Sequence, residues 1–378
     1  MTQVISEKAK VIPSNKLNIQ SLRFSTATSC VPKTAIHGTA PLKKPVFGDV
    51  ALVRVISLGG HVNLEQEHGQ RFPIFVGSEF VAVFANRYAP DQYEGIVPAS
   101  LDNPIIDLFN GGGTIGTVLN RNTTIGEATK IEVLAFLQDA NGKIINTLDY
   151  GLPVPAHLKK HPQEDKTLIV ITGASMNAGK THTAKMIVHG LTQAGKRVVA
   201  GKITGTAAKK DILLMQAAGA ETVVDFVNFG FPSTYKISED QLTDLFWRMY
   251  NHLNAQCPKG GYIVLEIADG VLEEEAYTLL NSFEITEMID YLVFSARDAL
   301  SAFAGICLAK EQFDMEISAV SGPIANSPLA VRELHMLLPD MPVFHNQILD
   351  PKAIEAIFID EFDAPAHPEQ HKLHKRKK

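Results

Sequence analysis

The residues best suited to chemistry cluster around one segment, TLIVITGASMNAGKTHTAKMIVHGL, residues 167–191. An apolar run ends at Gly173. Small residues follow, and Gly179-Lys180-Thr181 opens a stretch whose Ala184, Ile187, Val188 and Leu191 share one helical face. This order suits phosphate. Backbone N–H groups surround phosphate oxygens only where side chains stay clear, and the helix N-terminus adds its positive end. Lys180 supplies a mobile charge for the outer phosphates, and the Thr181 hydroxyl is placed to ligate Mg2+. The expected nucleotide-binding set is therefore Gly173, Ala174, Ser175, Met176, Asn177, Ala178, Gly179, Lys180, Thr181 and His182. The loop is a longer variant of GxxxxGK[ST]: Ala174 to Ala178 separate the two glycines, and Ala174 stands where that pattern has Gly.

Other candidates follow later apolar runs. Lys202, in RVVAGKITGTAAKKD, falls at a strand end, the side of a parallel sheet on which ligands bind. Asp211 reads equally as a Mg2+ ligand or as the N-cap of ILLMQAAGA. In YIVLEIADG, Glu266 and Asp269 follow a buried run. A carboxylate there can hold Mg2+ or orient a water or substrate, and a buried Glu is costly unless paired. Asp225, Ser233, Thr234 and Tyr235 lie in a loop that either lines a pocket or is structural. Asp298 reads as a helix cap. Asn326, with Ser321-Gly322, is a candidate for reading a purine edge, or else part of a turn before a helix at Ser327-Pro328.

These residues need a scaffold. From residue 167 onward, apolar runs alternate with amphipathic helical stretches, which predicts an α/β domain with a parallel sheet. Strands are expected at 167–173, 197–203, 262–269, 291–296, 317–322 and 342–344. The preceding region differs. Short alternating runs at 48–58, 71–77, 79–86, 115–121 and 130–139, with an Asn141-Gly142 hairpin turn, predict a smaller β-rich domain, a barrel or sandwich. The expected organisation is an arm at 1–47, the β-rich domain at 48–150, a linker at 151–166, a P-loop NTPase-like domain at 167–362 and a solvated basic tail at 363–378. Two stretches of the β-rich region stand out, Asn86 to Pro90 and the run Gly111-Gly112-Gly113.

Composition narrows the function classes. Hydrophobic residues at 45% and charged residues at 20%, over 378 positions, suffice for two packed domains. A net charge of −6 argues against nucleic-acid binding. No apolar run approaches the ~20 residues of a membrane span, and no secretory leader is evident. Cys30, Cys257 and Cys307 show no metal-binding spacing and fit a reducing compartment. The expectation is a cytoplasmic protein without nucleic-acid or membrane partners, acting on a small molecule as a homodimer.

The loop and the KITGT and EIADG segments resemble dethiobiotin synthetase and its relatives among the P-loop proteins, over about residues 167–350. By that resemblance Thr181, Asp211 and Glu266 would be Mg2+ ligands, and Lys180 and Lys202 would stabilise phosphate or carbamate oxygens. Ile267 and Asp269 stand where that family prefers small residues. The loop SMNAGKT also looks like that of a domain-of-unknown-function group that includes D-glutamate N-acetyltransferases. It is similar, too, to the accessory nucleotide-binding protein of molybdopterin-guanine dinucleotide synthesis.

The leading expectation is an ATP- and Mg2+-dependent ligase or kinase that transfers a phosphoryl group to a carboxylate or carbamate of a small molecule, with Lys180, Lys202 and Glu266 as its catalytic residues. Two alternatives stand beside it: an N-acyltransferase holding the phosphates of coenzyme A in the same loop, and a non-catalytic nucleotide switch.

Overall fold

The computed structural model describes residues 22–153, 165–345 and 351–359. The expected basic tail and most of the expected linker lie outside the described residues.

Two-residue alternation shapes the N-terminal half. Its strands are β1 (Gly38–Ala40), β2 (Val50–Ser57), β3 (Asn63–Glu65), β4 (Arg71–Pro73), β5 (Glu79–Phe84), β6 (Tyr93–Ile96), β7 (Ile105–Leu108), β8 (Thr114–Arg121) and β9 (Thr129–Gln138). β2 pairs with β5 and β9, β5 with β8, β8 with β7, and β7 with β9, so the pairings return to their start. β1 and β6 attach to this ring, and β3 with β4 forms a separate hairpin. The odd positions of β2 (Ala51, Val53, Val55) and even positions of β5 (Phe80, Ala82, Phe84) fill one core. The opposite positions, Val50, Leu52, Val81 and Val83, pack into a second core shared with Phe226, Val227 and Phe229 of the C-terminal half. Both faces of these strands are thus buried.

Residues expected in an arm also join the structure. Phe24, Ala27, Val31 and Ile36 enter the shared core, and β1 extends the sheet along β9. Their apolar side chains explain this placement. The run at 71–77 shortens to β4 because Phe75 to Ser78 form a turn. Leu152, at the start of the expected linker, is pinned by backbone hydrogen bonding to Asn228 and by the Arg248 guanidinium.

The C-terminal half is a parallel sheet of β10 (Thr167–Gly173), β11 (Val198–Lys202), β12 (Thr222–Asp225), β13 (Tyr262–Glu266), β14 (Tyr291–Ser295) and β15 (Ala319–Ser321). The spatial order is β12-β11-β13-β10-β14-β15, all parallel. Residues 342–344 contribute a single bridge, Val343 to Val320. The helices are α1 (Lys180–Gln193), α2 (Lys210–Ala217), α3 (Glu239–Gln256), α4 (Glu274–Leu280), α5 (Phe283–Thr286), α6 (Ala299–Phe313), α7 (Pro328–Leu337) and α8 (Pro351–Phe358). Ile169 and Ile171 of β10 face α1, α2 and α8, whereas Leu168 and Val170 face the core built with α3, α4, α6 and α7. Layers on both faces account for the continuous apolar strands. No helix among the described residues is long and apolar enough to cross a membrane.

Candidate functional site

The carboxyl ends of β10, β11 and β13 meet at one point. Register places Ile171 opposite Glu266, and Glu266 opposite Lys202. The loop after β10 packs tightly. A Cβ on Gly173 would lie 2.6 Å from the Ser295 carbonyl oxygen, and Gly179, which caps α1, has φ +98°. The Ala174 amide donates to Ser295 at 3.0 Å and the Ala178 amide to Ser175 at 3.2 Å, folding the loop over the helix end. Asn177 takes a left-handed φ of +63°. The loop is thus a backbone concavity at the N-terminus of α1, the geometry that binds phosphate.

Lys180 crosses this concavity, its Nζ donating to the Ser175 carbonyl at 2.8 Å. Burial lowers its pKa from the ordinary lysine value, against the attraction of Glu266 and Asp269. Thr181 Oγ1 donates to Glu266 Oε1 at 2.9 Å. Lys202 Nζ pairs with Asp211 and lies 3.9 Å from Glu266 Oε1. Burial alone would lower the Lys202 pKa, but Asp211 and Glu266 outweigh it and raise it. Asp211 is correspondingly lowered, because Lys202 overcomes its desolvation. Glu266, almost wholly buried, goes the other way: desolvation raises it more than Lys202 lowers it. Asp211 lies inside α2, and Lys209 takes the N-cap position, so the capping alternative falls away.

Glu266 Oε2 is buried without a hydrogen-bond partner among the described residues. Together with the Thr181 hydroxyl and the Asp211 carboxylate it makes a donor set suited to Mg2+, which takes few protein ligands and completes its shell with phosphate and water. No group of three or more His, Cys, Asp or Glu among the described residues forms a metal site by itself.

A cavity of about 380 Å3 opens beside this centre, between the two halves. Lys202, Asp211, Asp269 and Met176 line it from the C-terminal side, and His61, Arg71, Arg87 and Tyr88 from the N-terminal side. Arg87, nearly buried, bonds to the Phe109 carbonyl and donates to Gln92 at 2.7 Å. Burial and Arg87 together lower the His61 pKa to about 4, so its imidazole is neutral. The halves touch through side chains on the rim. Asn177 Nδ2 of the phosphate loop donates to Asp91 Oδ2 at 2.9 Å, and Tyr235 donates to Glu94 at 3.0 Å.

Not every candidate reaches the site. Asn326 is exposed in the 3-10 turn Pro323–Asn326 and does not line the cavity, so the purine-edge expectation gains no geometric support. Asp225 caps the turn Phe226–Phe229, and Asp298 caps α6. Thr234 is buried and accepts from the Gly205 amide, supporting the KITGT turn. His182 sits in the first turn of α1 with a buried, unpartnered Nδ1, and burial lowers its pKa. The residues that sequence reasoning leaves unassigned are His61, Arg87 and Asp91. Their signal is positional: Arg87 falls inside the Asn86 to Pro90 stretch that stands out in the sequence and lines the cavity with His61, Tyr88, Gly111 and Gly112, and Asp91 directly follows that stretch and meets Asn177 of the loop.

No family model and no curated protein matches this chain. Solved structures match only distantly. Chloroplast FtsY from Physcomitrella patens is 13% identical, with 56% of this chain and 70% of that one covered and a TM-score of 0.36. The signal recognition particle receptor FtsY from Elizabethkingia anophelis, in complex with GDP, is 15% identical, covering 57% and 69%, with a TM-score of 0.34. HypB from Helicobacter pylori, in complex with nickel, is 14% identical, covering 51% and 84%, with a TM-score of 0.30. Likenesses this distant carry no functional argument. The α/β fold and its phosphate loop rest on the geometry above.

Proposed function

We propose that the protein is an ATP- and Mg2+-dependent enzyme that transfers a phosphoryl group to a small molecule held in the cavity between its β-rich N-terminal half and its phosphate loop. The observation that carries this reading is the convergence of Thr181, Glu266 and Lys202 beside the loop, with one Glu266 oxygen unpartnered. Lys180 and the loop amides would hold the phosphates, and Thr181, Asp211 and Glu266 would hold Mg2+. Bound there, the metal would neutralise charge on the transferring group. Lys202, kept protonated by its two carboxylates, would add a fixed positive charge at the cavity wall. The resemblance of the loop to dethiobiotin synthetase supports phosphoryl transfer from ATP.

Calorimetric titration with Mg-ATP, ATP in EDTA, GTP and acetyl-CoA tests this. Micromolar Mg-ATP binding, lost in Lys180→Ala, is expected. Binding of acetyl-CoA in place of the nucleotide would replace the proposal with the acyltransferase reading. A nucleotide switch is the second reading, favoured by the direct Asn177–Asp91 bond from loop to N-terminal half. It predicts tight binding with no turnover.

A further inference from the structure

Asp269 is held in an unusual way. It follows β13 by three residues and has φ +61°, a left-handed conformation that costs most non-glycine residues energy. Its backbone is wedged there. The preceding Ala268 amide donates to Thr204 Oγ1 at 2.7 Å, and a Cβ on the following Gly270 would lie 2.9 Å from the Ala174 carbonyl of the phosphate loop. The carboxylate therefore sits at the mouth of the loop, and it lines the cavity. Among the described residues nothing hydrogen-bonds to it. Burial raises its carboxyl above the usual range, against the longer-range attraction of Lys180 on α1, Lys202 at the end of β11 and Arg87 of the N-terminal half, while the charges of Asp91 and of Glu275 on α4 lie near enough to interact with it. A carboxylate desolvated without a hydrogen-bond partner destabilises the fold, which is how functional groups are commonly held.

We propose that Asp269 takes the proton from the attacking hydroxyl or amine of the acceptor, so that the acceptor is an alcohol or amine and not a plain carboxylate. This rests on the phosphoryl-transfer reading above. As the acceptor oxygen or nitrogen forms its bond to the terminal phosphorus of ATP, the bond from that phosphorus to the bridging oxygen breaks. ADP leaves with that electron pair, and the acceptor's proton passes to Asp269 and then to water. A carboxylate acceptor carries no such proton, so Asp269 would only repel it. The side chain suits the task because it belongs to neither the Thr181–Glu266 pair nor the Lys202–Asp211 pair.

The test uses the full chain with Mg-ATP. Release of ADP is followed with water alone and with polyols, amino alcohols, amines and simple monocarboxylates. Alcohols or amines should stimulate release and monocarboxylates should not. Asp269→Asn should bind Mg-ATP within about twofold of the native protein yet lose on the order of 100-fold in ADP release, basal hydrolysis included. Asp269→Gly, which accepts the left-handed backbone, should behave alike. Both variants should melt about 2 °C or more above the native protein, whereas a carboxylate that merely supports the fold would melt lower when replaced. Four outcomes overturn the proposal: both variants melting below native, ADP release in Asp269→Asn within threefold of native, stimulation by monocarboxylates, or native protein that binds Mg-ATP and releases no ADP with any acceptor. Failure of the native protein to bind Mg-ATP would instead remove the reading on which it rests.

Discussion

Thr181 Oγ1 donates to Glu266 Oε1 at 2.9 Å, tying the first turn of α1 to the end of β13. The bond spans the sheet order directly, because β13 lies beside β10, whose loop feeds α1. It also sets apart the two kinds of charge in the centre. Glu266 is buried more deeply than its partners compensate, so its carboxyl is raised. Replacing it by Gln keeps an acceptor for Thr181 and removes the desolvated charge. Glu266→Gln should therefore match or exceed native stability in urea titration without nucleotide. In calorimetry with Mg-ATP it should bind roughly 10- to 100-fold more weakly.

Lys202 should behave oppositely. It is the cation that both Asp211 and Glu266 use. Lys202→Met leaves two carboxylates facing each other in a buried site, and breaking such a pair costs about 3–5 kcal/mol. Urea denaturation at neutral pH should show a loss of that size, partly recovered when Asp211→Asn is added. An additive double variant would mean the pair does not act as a unit.

A pH-dependent stability follows from Glu275. Burial pushes its carboxyl up to about 7 from 4.5, against its own backbone N–H bond, with the charge of Asp269 adding to the rise. Between those two values the folded chain holds a proton that the unfolded chain has released. Stability from this group is thus complete below pH 4.5 and is lost as pH rises to 7. The full effect is roughly 3 kcal/mol at most. Compared with native protein, Glu275→Gln should be close to neutral at pH 4 and more stable at pH 8. Equal differences at both pH values would rule the mechanism out.

Gly322 guards the loop from behind. Its φ is +102°, and an added Cβ would lie 2.5 Å from the carbonyl oxygens of both Ala178 and Ala296. Backbone atoms cannot swing away as a side-chain tip can. Gly322→Ala should cost about 2–3 kcal/mol and displace Ala178, weakening Mg-ATP binding as well. Thermal melting with and without Mg-ATP would separate the two effects.

Much of the centre was legible because its chemistry is local in sequence. Lys180 and Thr181 follow the glycines that shape the loop, and Lys202 and Glu266 end apolar runs that parallel pairing brings side by side. The alternation of Ala51, Val53 and Val55 with Val50 and Leu52 marked a strand equally well. It could not show that the second set would face Phe226 across the shared core, since contacts between residues so far apart leave no periodic trace. The cavity was hidden for the same reason. Arg87 and Asp91 acquire meaning only once the N-terminal half lies against the phosphate loop. The left-handed turn at Asp269 was equally invisible, because Asp-Gly reads as an ordinary turn until Gly270 meets Ala174.

The contact between Asn177 and Asp91 makes the most direct prediction about how the halves communicate. Asn177 belongs to the phosphate loop, is left-handed at φ +63°, and its Nδ2 donates to Asp91 Oδ2 at 2.9 Å. Any ligand that reshapes the loop must keep or break this bond, so binding free energy and inter-half contact are linked. Asn177→Gly preserves the backbone conformation and removes only the side chain, which makes it the cleaner partner for Asp91→Ala. In a double-mutant cycle read by Mg-ATP affinity, the coupling should be about 0.5–1.5 kcal/mol. The same cycle read by urea denaturation without nucleotide should give a smaller coupling, because Asn177 is exposed. Equal coupling in both would show that the bond holds the halves together regardless of what the loop binds.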